Sequence, residues 1–155
     1  MTTSQQPRIV RLEPGDEQLV RAGADLFDAE PTEVWSARFL ASEGHHLLFA
    51  LAAGRPVGFV SGVETTHPDK GTEMFLYELA VDAPARRRGI GRALVEALAA
   101  LARERGCHGM FVFADEDNVA ALATYRRAGA HEASRPVMLE WDFRGADLHD
   151  DRPKP

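Results

Sequence analysis

The chain holds a single cysteine, Cys107, among 155 residues, and only two tyrosines and two tryptophans. One cysteine excludes an internal disulfide, so the thiol is expected reduced and packed near a helix–strand junction. No uninterrupted apolar run approaches the roughly 20 residues that a bilayer span requires. Met1 to Pro7 is polar and has no apolar signal core, so export is not expected and a cytoplasmic location is. Basic residues are outnumbered, 18 Lys and Arg against 24 Asp and Glu, for a formal charge of −6. A broad basic face for a nucleic-acid backbone is therefore lacking, and neither nucleic acid nor membrane is an expected partner. Metal chemistry has little to build on. His45 and His46 are adjacent and would point oppositely in a strand, and His108 and His131 stand alone, so no metal site is assigned.

What is present suits one soluble domain, with 45% hydrophobic and 27% charged residues. Arg8 to Leu12 alternates like a short strand. Pro14-Gly15-Asp16 turns into a helical pattern through Phe27, and Pro31 or Thr32 starts a second helix carrying Val34, Trp35, Phe39 and Leu40. His46 to Ala52 and Pro56 to Val63 flank Ala53-Gly54-Arg55 as a hairpin. After a polar turn from His67 to Gly71, Glu73 to Val81 is the next strand. Ile90, Leu94, Leu98 and Leu101 stripe a helix that ends at Arg105-Gly106, where glycine suits the residue past a helix end. Gly109 to Ala114 is a strand, Asn118 to Ala128 a helix closed by Gly129, and Val137 to Phe143 an alternating last strand. The order strand, two helices, three strands, helix, strand, helix, strand predicts an α/β sandwich with a mixed sheet. Residues 8–143 form the expected domain, with 1–7 and 144–155 as flexible termini.

The chemistry concentrates in Arg86-Arg87-Arg88-Gly89-Ile90-Gly91-Arg92, between an apolar strand and the start of a helix. Glycine lets a backbone approach a ligand closely. A helix start offers unpaired N–H groups and partial positive charge, which together suit a pyrophosphate. The nucleotide patterns G-x-x-x-x-G-K-[ST] and G-x-G-x-x-G are both missing. An alternative is a plain helix start with arginines on a solvated face.

This loop resembles the acyl-CoA signature [RQ]-x-x-G-x-[GA] of the GNAT N-acetyltransferases, with Arg86, Gly89 and Gly91 on the fixed positions. The element order is similar to the GNAT fold over nearly the whole chain. Phe75-Leu76-Tyr77-Glu78-Leu79-Ala80-Val81, Val112 to Asp115, Ala121 to Gly129 with Tyr125, and Val137-Met138 with Asp142 look like the aminoglycoside 3-N-acetyltransferases, as does Arg11 to Phe27. The resemblance implies transfer of acetyl from acetyl-CoA to an aminoglycoside amine, a role in antibiotic resistance, and a homodimer. Leu79, Ala80 and Val81 would lie along the thioester and pantetheine, with a backbone N–H near Leu79 polarising the carbonyl. Arg86, Arg87, Arg88, Gly89, Ile90, Gly91 and Arg92 would hold the pyrophosphate, amides first and side chains second, and Asn118 and Tyr125 would complete the cofactor site.

By the same resemblance, Tyr125 is the candidate acid for the leaving thiolate; without it, a packed helix tyrosine is the favoured reading. Glu78 is the candidate base, where related enzymes carry aspartate. Simple alternation would point it with Leu76 and Ala80, away from Tyr77 and Leu79. A carboxylate in an apolar strand is costly unless paired or functional, and a salt bridge to an arginine is the other reading. Tyr77, Glu78, Asp115 and Glu116 are the candidate acceptor-binding residues. Asp117 or Asn118 could instead cap the following helix, and Glu140 and Asp142 share one face of the last strand with solvent exposure as the default. Other acceptors remain open, namely a small amine, a polyamine or a peptide amine. A non-catalytic acyl-CoA sensor is a further class, though it would need neither Tyr125 nor Glu78.

Overall fold

The alternating stretches pair into one sheet, with strands β1 (Arg8–Arg11), β2 (His45–Ala52), β3 (Arg55–His67), β4 (Gly71–Val81) and β5 (Met110–Phe111) in that spatial order. The computed structural model describes residues 6–144. The first four strands are antiparallel neighbours and β5 lies parallel to β4, so the sheet is mixed. β2 and β3 meet at a tight turn in which Ala53 (φ +50°) and Gly54 (φ +77°) both take positive φ, the geometry that matches strand twist. β3 and β4 both run further than their patterns suggested, reaching His67 and starting at Gly71, which leaves Pro68-Asp69-Lys70 as the connection.

Helices cover both faces. The first helix is shorter than its pattern: α1 spans Glu17–Ala22 and breaks at Gly23 into a single turn of 3-10 helix, Ala24–Leu26. Gly23 is where the phenylalanine core comes closest, since a Cβ there would sit 2.9 Å from Phe49 Cε2. α2 (Glu33–Ala41) starts at Thr32, whose hydroxyl accepts from the Trp35 N–H at 3.2 Å. These two helices close over Leu12, Leu47, Phe49, Leu51 and Phe59. On the opposite face α3 (Ile90–Glu104) lays Ile90, Leu94, Val95, Leu98 and Ala102 over Leu48, Ala50, Val60, Met74 and Leu76. α4 (Val119–Arg127) packs beside α3, and Cys107 is a free, half-buried thiol between α3 and β5.

Two sequence expectations fail. The strand expected over Gly109 to Ala114 contracts to Met110–Phe111. The last strand, Val137 to Phe143, does not form: residues 130–143 carry no strand pairing among the described residues, and Val137, Leu139, Trp141 and Phe143 are each at least 75% exposed. Alternation makes a strand only where an edge is available to pair with, and β5 is two residues long. Of the expected flexible termini, residues 1–5 and 145–155 lie outside the described residues.

Candidate active site

The short β5 is what opens the sheet. β4 pairs with it only at Met74–Met110 and Phe75–Phe111. Beyond that point the chain from Val112 leaves the ladder, and Tyr77 to Val81 has no partner strand on that side among the described residues.

β4 also carries a bulge here. Leu76 lies opposite Gly62 and Glu78 opposite Ser61, so Tyr77 is the extra residue. The bulge inverts the facing of everything after it. Met74 and Leu76 face α3 before it, and Leu79 and Val81 face α3 after it, whereas Ala80 joins the phenylalanine cluster on the α1–α2 face. Glu78 shares that face with Ala80 and not with Leu76, which corrects the simple alternation. Glu78 is half-buried, and burial pushes its carboxyl pKa above the usual range, with the Asp28 charge adding to the effect. No salt bridge to Glu78 exists among the described residues, so the arginine pairing is not made.

Tyr125 approaches from the other side. It sits on α4, half-buried against the α3-facing cluster, and burial raises its phenol pKa so that it keeps its proton at neutral pH. The candidate base and acid therefore flank the open edge of β4 from opposite faces of the sheet.

The arginine–glycine loop lies at the end of β4. Gly89 caps α3 with φ +79° and Arg87 takes φ +62°, a left-handed pair of positions that folds the loop back on itself. The first helical bond runs from the Ala93 N–H to the Gly89 carbonyl, so the amides of Ile90, Gly91 and Arg92 have no carbonyl within the helix. Gly91 keeps this start close to its neighbours: a Cβ there would lie 3.3 Å from Thr124 Cγ2 on α4 and 3.7 Å from Val81 Cγ2. The arginines divide the work. Arg86 Nε donates to the Val81 carbonyl at 3.0 Å and fastens the loop to β4. Arg92 Nε donates to Glu96 at 2.7 Å along the helix. Arg87 and Arg88 are exposed and in no ion pair among the described residues, which leaves them as the side chains ready for an anion.

The remaining candidates separate. Asn118 is the α4 cap, its Oδ1 accepting from the Ala121 N–H at 3.1 Å. Glu116 is exposed and pairs with Arg135 at 3.2 Å, while the Asp115 side chain is exposed and its carbonyl accepts from the Asn118 N–H. Tyr77 is 68% exposed and stands edge-on to Phe75, which stacks on Phe111 at 4.9 Å. Asp28 escaped the sequence reading because it lies in a loop far from the strand in sequence; its only signal was its place in the acidic stretch from Asp16 to Glu33.

The mixed sheet thus opens beside a helix that starts at Gly89, with Glu78 and Tyr125 on opposite faces of the sheet. The chain belongs to the Acetyltransferase (GNAT) family, whose family model matches residues 13–130. A mycothiol acetyltransferase from Nocardia farcinica is 29% identical over 129 residues, 74% of this chain and 41% of that protein. The chain thus spans less than half the length of the curated relatives it matches. Among solved structures, an aminoglycoside acetyltransferase from an uncultured soil metagenomic sample superposes with a TM-score of 0.75 at 28% identity, covering 89% of this chain and all of that one. The structure of AAC(6')-Iy with the bisubstrate analog CoA-S-monomethyl-acetylneamine gives a TM-score of 0.77 over 89% of this chain and 99% of that one; at 18% identity that likeness concerns the fold alone. These neighbours do not single out the 3-N position.

Proposed function

We propose that the protein moves acetyl from acetyl-CoA to an amine of an aminoglycoside by direct attack on the thioester. In this reading the pyrophosphate rests on the amides of Ile90 to Arg92, with Arg87 and Arg88 over it. The pantetheine pairs with the free edge of β4 from Leu79 to Val81. Glu78 takes a proton from the acceptor ammonium. The neutral amine attacks the carbonyl carbon, whose oxygen draws on the Leu79 N–H, a kind of donor worth about 3 kcal/mol when lost. As the C–S bond breaks, Tyr125 gives its proton to the CoA thiolate, a transfer between groups of similar basicity, and the proton that the nitrogen sheds on becoming an amide restores the phenol.

The observation that carries the reading is Glu78, a half-buried carboxylate with a raised pKa and no salt bridge among the described residues, on the face opposite Tyr125. An acyl-CoA sensor would need neither group. The solved neighbour from a soil metagenomic sample named as an aminoglycoside acetyltransferase, at 28% identity, supports the acceptor. The relatives named as mycothiol acetyltransferases favour a second reading, in which the acceptor is a different small amine.

CoA release from acetyl-CoA, measured against gentamicin, sisomicin, apramycin, spermidine and an amine-bearing peptide, separates these. Turnover with an aminoglycoside, abolished by Glu78→Gln, supports the first reading. Turnover confined to other amines selects the second. Acetyl-CoA binding without turnover on any of them overturns both.

A further inference from the structure

β4, β5 and the residues just after β5 present a row of rings that neither core uses. Phe75 stacks on Phe111 at 4.9 Å, Phe113 meets both edge-on at 5.7 Å, and Tyr77 stands edge-on to Phe75 at 5.8 Å. Their sequence neighbours Met74, Leu76, Met110 and Val112 all pack toward α3. The rings therefore lie on the opposite face, the one that α1 and α2 cover further along the sheet. None of the four belongs to either core cluster, and Tyr77 and Phe113 are 68% and 63% exposed. Contiguous exposed rings of this kind mark a surface that binds something.

The bulge makes this floor continuous with the candidate base. As the extra residue, Tyr77 shares a face with Glu78 although the two are consecutive, so Phe75, Tyr77, Glu78 and Ala80 run along one surface of β4. Beyond Glu78, Phe27 stacks at 4.3 Å on Phe59, which lies opposite Ala80. Asp28 follows Phe27, and its charge is felt at Glu78. The surface is thus aromatic at one end and anionic at the other.

We infer that the amine-bearing ring of the acceptor lies on this aromatic floor, with its C–H face against Phe113 and Tyr77 and its ammonium at Glu78. The inference rests on the aminoglycoside reading above and narrows it to acceptors whose reacting amine is carried by a saturated six-membered ring, an amino sugar or aminocyclitol. Such a ring turns polarised C–H bonds to one side and hydroxyls to its rim. The C–H face suits the negative face of an aromatic ring, and an ammonium nearby adds a cation–π attraction. The rim hydroxyls stay in water above the open floor. A linear polyamine has no such face and would leave most of the floor wet.

Bound sisomicin reports the stacking directly, because protons held over an aromatic face resonate upfield of their free positions. Titrated with CoA-saturated protein, the sisomicin ring protons should shift upfield. The shift should shrink in Tyr77→Leu and in Phe113→Leu, which keep apolar bulk and lose the ring face. In turnover with acetyl-CoA, each variant should raise the sisomicin KM on the order of tenfold and leave kcat within about twofold. Sisomicin that turns over without upfield shifts, or with a KM indifferent to both variants, overturns the floor and leaves the proposed function standing. Sisomicin that binds with the shifts, while no aminoglycoside is acetylated, overturns that function and keeps the floor. Sisomicin that neither binds nor is acetylated overturns the floor. The wild-type shifts need no variant, so they decide the matter even if a substitution unfolds the protein.

Discussion

Glu78 and Asp28 are two carboxylates whose charges feel each other across the α1–α2 face, with neither in a salt bridge among the described residues. Burial and the Asp28 charge both favour the protonated form of Glu78, so its conjugate base appears only above a raised pKa. The rate should therefore fall as the pH drops through that value, with kcat/KM following one proton. Asp28→Asn removes the like charge and leaves the burial, so the acidic limb should move to lower pH without returning to that of an exposed glutamate. An acidic limb unmoved by Asp28→Asn would show that Asp28 does not act on the base. Tyr125 is tested differently, since Phe fills the same half-buried volume. Tyr125→Phe should lower kcat on the order of 10²-fold while the dissociation constant for acetyl-CoA, measured by calorimetry, stays within about twofold. A loss of acetyl-CoA affinity in place of kcat would make Tyr125 a packing residue.

At the scale of elements, the split between β4 and β5 depends on how closely β3 holds β4. Gly58 lies opposite Val81, and a Cβ on it would come within 2.9 Å of the Ala80 carbonyl oxygen and 3.3 Å of Leu94 Cδ1. Backbone cannot swing aside as a side-chain tip can. Gly58→Ala should cost about 1–3 kcal/mol in urea unfolding and, in the proposed reading where Leu79 to Val81 pair with the pantetheine, should also weaken acetyl-CoA binding by displacing Ala80. Unchanged stability would mean that β4 shifts freely, against a fixed split. This strand also marks the limit of what the sequence revealed. Period and turn chemistry were sufficient for α3, where the apolar stripe is regular, and for the β2–β3 hairpin, where Gly54 supplies positive φ. The place of the arginine–glycine loop at the start of α3 was legible because the motif sits between a strand and a helical stripe, and the helix that carries Tyr125 was legible from its cap and closing glycine. The bulge at Tyr77 was not, since a bulge is set by the pairing of two strands and leaves Leu76-Tyr77-Glu78 looking like plain alternation. Val137 to Phe143 failed for a related reason: its pattern announces a strand, while whether it pairs depends on an edge elsewhere in the fold. Asp28 and Glu78 become neighbours only through the packing of the α1–α2 loop over the sheet.

Across the whole molecule, a second polar cluster ties the sheet to the far end of α3. His46 has a fully buried side chain; its Nδ1 lies 3.1 Å from an Arg11 guanidinium nitrogen and its Nε2 2.9 Å from Glu64 Oε1. Glu64 in turn accepts from Nε and, at 3.3 Å, from a terminal nitrogen of Arg105. Arginine has no acceptor, so Nδ1 must be the lone-pair nitrogen and Nε2 must carry the proton. The ring is therefore neutral, which agrees with a pKa lowered first by burial and further by the Arg11 charge, although the bond to Glu64 acts the other way. Protonation would aim an N–H at Arg11 and break a link among β1, β2 and β3. A folded pKa below the unfolded value of about 6.5 means that the unfolded chain binds the extra proton first, so this contribution is complete above that pH and is lost as the pH falls below it. Glu64, whose pKa is lowered chiefly by its bond to Arg105, adds a further loss at more acidic pH. Unfolding by urea, followed between pH 7.5 and 5, should thus show stability declining with acidification. His46→Phe should be less stable throughout, since it removes the acceptor for Arg11 and one of the donors to Glu64, yet its stability should vary less with pH across the same interval. If the wild-type curve is flat there, His46 is not the neutral keystone of the cluster. If the variant keeps the full slope, another group sets it, and the acid sensitivity of the fold lies outside this end of the sheet.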